Sequence, residues 1–141
     1  MHEIKMAIPI EPVPKGRPRF RVMYRQVRTI TPPKTKEFEY QVRQYFLYEC
    51  KGVAFERGVP ISVNIEFGMR IPVSTTKKRS KMMLDGLIRH TVKPDLDNLT
   101  KAVLDALNGI AWYDDAQVVE LNVKKLYTEN PFIQLDIKQI T

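Results

Sequence analysis

Apolar and polar side chains alternate from the start of the chain. Ile4, Met6, Ile8 and Ile10 are separated by Lys5, Ala7 and Pro9, a period of two that predicts a strand. The prolines assign it to a sheet edge or end it early. Pro12 to Pro33 is rich in proline and arginine and predicts an extended basic arm, with a β-prone patch near Val22 to Ile30 that has room for a short hairpin. From about Lys34 to Lys51 the period becomes helical, with Phe38, Val42, Tyr45, Phe46 and Glu49 on one side. Gly52 and Gly58 break it. Ile61, Val63, Ile65 and Phe67 then alternate with Ser62, Asn64 and Glu66 as a half-buried strand.

Ser74 to Leu84 is a basic stretch that predicts a short helix capped by Ser74 and ended by Gly86. A further helix is expected over about Leu96 to Asn108. Leu99, Val103, Ala106, Leu107 and Ile110 face its core side, and Gly109 is its stop. Val119, Leu121, Val123 and Lys125 form one alternating row and Ile133, Leu135 and Ile137 another. With Glu129-Asn130-Pro131 as a turn between them, these two strands are expected to pair antiparallel. The order gives an α+β fold: a small mixed or antiparallel β-sheet with helices packed on one face, in a single domain over 1–141.

Composition adds a partner. Hydrophobic residues at 43% and charged residues at 28% suit a folded domain, and 23 Lys and Arg against 16 Asp and Glu leave a net charge of +7. Such an excess favours a polyanion, because each neutralised phosphate releases counterions. The lone Cys50 excludes an internal disulfide and reads as a small, partly buried apolar side chain. No run approaches a membrane span and the N-terminus lacks the apolar core of a signal peptide, so no membrane partner and a cytoplasmic location are expected.

The chemistry concentrates in Lys93-Pro94-Asp95-Leu96-Asp97-Asn98-Leu99-Thr100-Lys101 and Trp112-Tyr113-Asp114-Asp115. Asp95 falls just ahead of the helix and Asp97 at its start, where a carboxylate suits the N-cap and the positive end of the helix dipole. Asn98, Lys101, Asp105 and Asn108 make a polar face. Magnesium takes oxygen ligands and keeps several waters, so two or three converging carboxylates can hold it. Phosphodiester hydrolysis needs an activated water and a cation on the departing oxygen. Asp95, Asp97 and Asp115 as ligands, with Lys101 as a cation beside the phosphate, supply those parts. Each residue alone also has an ordinary explanation: a cap for Asp97, a surface ion pair for Lys101 and Asp105, a turn for Asp114-Asp115.

Other chemistries fit less well. His2, His90 and Cys50 are scattered without zinc-site spacing, and His90 reads as a surface or turn residue. No serine or cysteine triad signature is present, and no Glu-x-Lys follows Asp95 as in the common PD-(D/E)-x-K nucleases. In the arm, Lys15, Arg17, Arg19, Arg21, Arg25 and Arg28 cluster with Phe20 and Tyr24. Arginine forks suit phosphate, and Phe20 suits a wedge against an opened base. Lys77, Lys78, Arg79 and Lys81 form a second basic run in which Lys77 and Lys78 are expected DNA contacts, with a solvated helix face as the close alternative. Trp112 reads as a core or dimer residue.

With these residues in view, the chain resembles the RusA family of bacterial and prophage-borne Holliday-junction resolvases. The likeness rests on the run from Lys93 to Lys101, on Asp105-Ala106-Leu107-Asn108-Gly109, on Trp112 to Val119, and on Pro14-Lys15-Gly16-Arg17-Pro18-Arg19. It implies a homodimeric, magnesium-dependent enzyme, with manganese as a substitute ion, that makes paired nicks across a four-way junction in DNA recombination and repair. It also implies catalytic roles for Asp95, Asp97, Asp115 and Lys101, with Asp114 as an alternate ligand beside Asp115. Two rival functions are a non-catalytic DNA-binding protein of the same fold and a nuclease for other branched DNA.

Overall fold

The computed structural model describes residues 3–16, 19–23 and 25–141. Strand β1 (Glu3–Ile8) leads into the arm, which folds as a hairpin of β2 (Arg19–Met23) and β3 (Gln26–Ile30), antiparallel to each other. Helix α1 (Pro33–Glu49), strand β4 (Ile61–Arg70), helix α2 (Lys77–Leu84) and helix α3 (Leu96–Leu107) follow. A single 3-10 turn, Asp115–Gln117, precedes strands β5 (Val118–Thr128) and β6 (Phe132–Gln139). The main sheet is mixed, in the order β1-β6-β4-β5.

One face of this sheet carries the core. In register, Ile4, Ile137, Val63 and Leu121 make one row across it, and Met6, Leu135, Ile65 and Val123 the next. Phe38, Val42 and Phe46 of α1 and Leu99, Val103 and Ala106 of α3 pack with these rows in one cluster, from which only the edge residue Leu121, exposed, is left out. Burying a single large side chain of this kind contributes roughly 1.5–3 kcal/mol. The opposite face is polar: Asn64, Glu66, Asn122, Lys124, Gln134 and Asp136 line it, and Lys124 pairs with Glu66 at 2.9 Å. The α+β architecture with helices on one face is the expected one.

Several local expectations change. β5 and β6 do not pair with each other: β4 lies between them, parallel to β5 and antiparallel to β6. The turn at 129–131 therefore spans the end of β4. Gly68 of β4 makes that crossing possible, because a Cβ there would enter the ring of Phe132 and come within 2.9 Å of Thr128 Cγ2. We expect Gly68→Ala to cost about 1–3 kcal/mol of stability, measured by urea unfolding, and Phe132→Ala to relieve part of that cost. A full cost retained in the double variant would refute the steric account.

Helix α2 is capped by Thr76, whose hydroxyl accepts from the Arg79 amide at 3.3 Å, and not by Ser74. The N-cap position of α3 belongs to Asp95, while Asp97 sits in the first turn. On α1, Tyr45 and Glu49 are exposed, and Glu39 is buried in their place. His90 is buried, its ring 4.9 Å from that of Tyr127, rather than on the surface. Among the described residues no helix is long and apolar enough to cross a membrane.

Candidate active site

The polar face of α3 and the start of the 3-10 turn meet over the edge strand β5. Asp97, Lys101, Asp105 and Asp115 line one cleft of 590 Å³, floored by Leu96, Leu104, Leu121 and Val123. Helical spacing explains the first three, since Asp97, Lys101 and Asp105 stand four residues apart on one face. Lys101 Nζ lies 3.3 Å from Asp105.

Asp115 arrives from elsewhere and is held on both sides. Its amide donates to Asn108 Oδ1 at 3.1 Å, and its carboxylate accepts from the buried Trp112 Nε1 at 2.8 Å. Gln117 fixes the loop beneath it. The Gln117 amide donates to the carbonyls of Glu56 (2.8 Å) and Val59 (3.1 Å), and its oxygen accepts from the amides of Tyr113 and Asp114. Asp114 turns the other way. It caps the 3-10 turn by accepting from Ala116, and lines a separate pocket with Arg57 and Tyr113. Of the two adjacent aspartates, only Asp115 shares the cleft with Asp97.

Asp95 opens onto a neighbouring cleft, also 590 Å³, lined by Lys15, Lys34, Arg70, His90, Lys93 and Asn98 among others. Its carboxylate is paired with Lys93 at 2.9 Å. The structure thus brings Asp97 and Asp115 together and leaves Asp95 on the adjoining side of the same helix start. Among the described residues no three acidic, histidine or cysteine side chains already stand close enough to grip an ion.

The donor chemistry nonetheless suits a hard divalent cation. All three carboxylates of the Asp97 cleft offer oxygen ligands. Burial pushes the Asp115 carboxyl above its usual range, against the Trp112 hydrogen bond that lowers it, and Asp105 and Asp114 push it further up. A bound cation would relieve that penalty. In the metal-free protein the folded state therefore holds the Asp115 proton more tightly than the unfolded chain. Stability from this group is fullest below the ordinary carboxyl range and is lost as pH rises through the raised value. We expect Asp115→Asn, which keeps an acceptor for Trp112, to gain in melting temperature relative to the parent between about pH 3.5 and pH 7. A gap that closes as pH rises would contradict this.

Lys15 is drawn inward. Its ammonium bridges Glu39 of α1 and Asp105 of α3, 3.1 Å from the latter, and its own backbone amide donates to Asn98. Those carboxylates raise its pKa against the lowering by burial, which is the largest single influence. Lys77 and Lys78 are exposed on α2. Arg17 lies outside the described residues, and of Arg19 and Phe20 only the position in β2 is described. Gln117 and Asp105 were not assigned roles from the sequence. Asp105 had a signal, its place four residues beyond Lys101, whereas Gln117 stood out only as a member of the run from Trp112 to Val119.

Carboxylates gathered beside a basic surface suit one class of protein, the nucleases that cleave phosphodiesters, because a protein that only binds DNA gains nothing from anions placed against phosphate. The chain belongs to the RusA family of endodeoxyribonucleases, which are Holliday-junction resolvases: residues 9–138 match the family described as Endodeoxyribonuclease RusA. It is 36% identical over 138 residues to YqaN of Bacillus subtilis (strain 168), described as uncharacterized, covering 98% of this chain and 97% of that one. It is also 33% identical over 87 residues to the crossover junction endodeoxyribonuclease rusA of Lactococcus phage r1t, covering 61% of this chain and 60% of the phage protein. Nucleases of the family are generally metal-dependent.

Proposed function

We propose that this chain, as one RusA-like domain over 1–141, resolves four-way DNA junctions by paired, symmetric, magnesium-dependent nicks. Family membership across residues 9–138 is the observation that carries this reading. The cleft shared by Asp97, Lys101 and Asp115 supports it chemically.

Asp97 and Asp115 are the proposed ligands from the shared cleft and Asp95 the third, its carboxylate exchanging Lys93 for the ion across the helix start, with magnesium favoured and manganese able to replace it. The ion would supply an activated water and charge neutralisation at the departing oxygen. Lys101, exposed at the cleft, orients a phosphate and offsets the charge that grows on it. Trp112 holds the Asp115 carboxylate at a fixed angle. The basic cleft with Lys34, Arg70 and Lys93 suits the backbone of the strand being cut. Arg17, Arg19, Phe20, Lys77 and Lys78 are the proposed further DNA contacts, whereas Lys15, expected among them, has its ammonium committed to Glu39 and Asp105 and ties the arm to α1 and α3. A homodimer follows from the substrate, since two equivalent strands require two equivalent sites.

The test is cleavage of end-labelled synthetic four-way, three-way and linear DNA, with and without magnesium. Paired nicks confined to the four-way junction and dependent on the ion are expected. Equal cleavage of linear duplex, or cleavage undiminished by chelator, would overturn the proposal.

A further inference from the structure

Lys125 breaks the apolar alternation of β5. It stands opposite Phe67, on the sheet face that otherwise carries Leu121 and Val123 toward the helices. Half-buried there, its ammonium is partly stripped of water, and that desolvation lowers its pKa although Asp95 nearby raises it. A lysine is kept at such a position only if its donors are well used. These are: Nζ donates to the carbonyl of Val92 at 2.7 Å and to that of Pro94 at 2.8 Å.

Those two carbonyls lie immediately before Asp95. Little local structure otherwise fixes this backbone. Asp95 occupies the N-cap of α3 without a side-chain capping bond. Its main tie into the helix is the Leu99 amide, which donates to the Asp95 carbonyl at 3.1 Å. The exposed Lys93–Asp95 ion pair adds little rigidity.

From this geometry we infer that Lys125 is a positioning residue of the nuclease site, clamping the 92–94 backbone from β5 so that Asp95 and Asp97 are presented at a fixed angle. The inference rests on the resolvase reading for its consequence in catalysis, but the clamp itself does not. Two strong acceptors on one ammonium make a charge-assisted fork that an apolar residue cannot replace. Because it spans residues far apart in sequence, it couples the sheet directly to the acidic motif.

The test compares Lys125→Met and Lys125→Arg with the parent. In Lys125→Met we expect faster amide exchange at Leu99, measured without metal, while β4 amides keep their protection. Binding to a metal-free four-way junction should stay within about threefold, and the magnesium concentration for half-maximal cleavage should rise roughly tenfold or more, the usual scale for residues that orient metal ligands. Lys125→Arg, which can still donate to both carbonyls, should recover most of both changes. Unchanged exchange at Leu99 overturns the clamp. Faster exchange with an unchanged magnesium requirement overturns its role in the site. Should Lys125→Met fail to fold, Lys125→Gln, with a shorter donor, carries the same two readouts and should fall between the parent and full loss. A parent protein that leaves the junction intact would remove the resolvase reading while the exchange result still judged the clamp.

Discussion

Asp97→Asn is expected to reduce cleavage of a four-way junction by at least a factor of about a hundred while leaving junction binding intact or tighter. The side chain keeps its shape and loses its charge, so any effect reports what that charge does. A carboxylate that holds a divalent ion cannot be replaced by a neutral amide without weakening the ion, and removing one preorganised electrostatic group typically costs about 10²–10³ in rate. Binding should move the other way, because Asp97 is exposed and faces the phosphates it would otherwise repel. Helix α3 loses a favourable charge in its first turn, a change of about 0.3–1 kcal/mol that leaves the domain folded. Cleavage rates at saturating protein, beside gel-shift affinities without metal, separate the two effects. Loss of binding together with cleavage would remove Asp97 from the set of metal ligands.

The second large effect falls on Trp112. It is fully buried in the core cluster, and its indole N–H is spent on Asp115. Trp112→Ala should cost about 3–5 kcal/mol by opening a cavity, a fraction large enough to unfold a domain of this size at modest temperature. Trp112→Phe separates packing from chemistry. The ring still fills most of the space, yet Asp115 loses the donor that lowers its pKa, so its carboxyl moves further up. Trp112→Phe should therefore remain folded in urea titration, while the acid limb of its cleavage profile shifts to higher pH. An unshifted limb in a folded Trp112→Phe protein would mean that the hydrogen bond does not govern Asp115.

How much of this could be read in the sequence depended on how local each determinant is. The six-residue alternation of β1, the ten-residue run of β4 and the helical stripe of α3 are written in neighbouring residues, and each formed as expected. The pairing of β5 was not. Proximity in sequence favoured a β5–β6 hairpin, but β4 supplies an apolar row that matches both strands, and it enters between them from more than forty residues upstream. At the site, Asp97 and Asp115 were legible as types and their common cleft follows from the fold, whereas the orientation of Asp95 toward Lys93 depends on a turn that has no periodic signature. His90 was misjudged because a polar residue in a loop ordinarily faces water. Lys125 was in plain view as the one charge in an apolar row, and its meaning required knowing which carbonyls lay across from it.

The parallel pairing of β4 with β5 has a consequence for how the molecule comes into being. Everything from Ile71 to Gln117, including both acidic segments, is a single excursion that leaves the sheet at the end of one strand and returns alongside its start. Closing so long a loop is entropically slow compared with a hairpin and gains nothing until the two strands meet. The two hydrogen bonds that fix Asp115, its amide to Asn108 and the Trp112 indole to its carboxylate, both lie within that excursion, so the loop that must close also carries the bracing of the acidic centre.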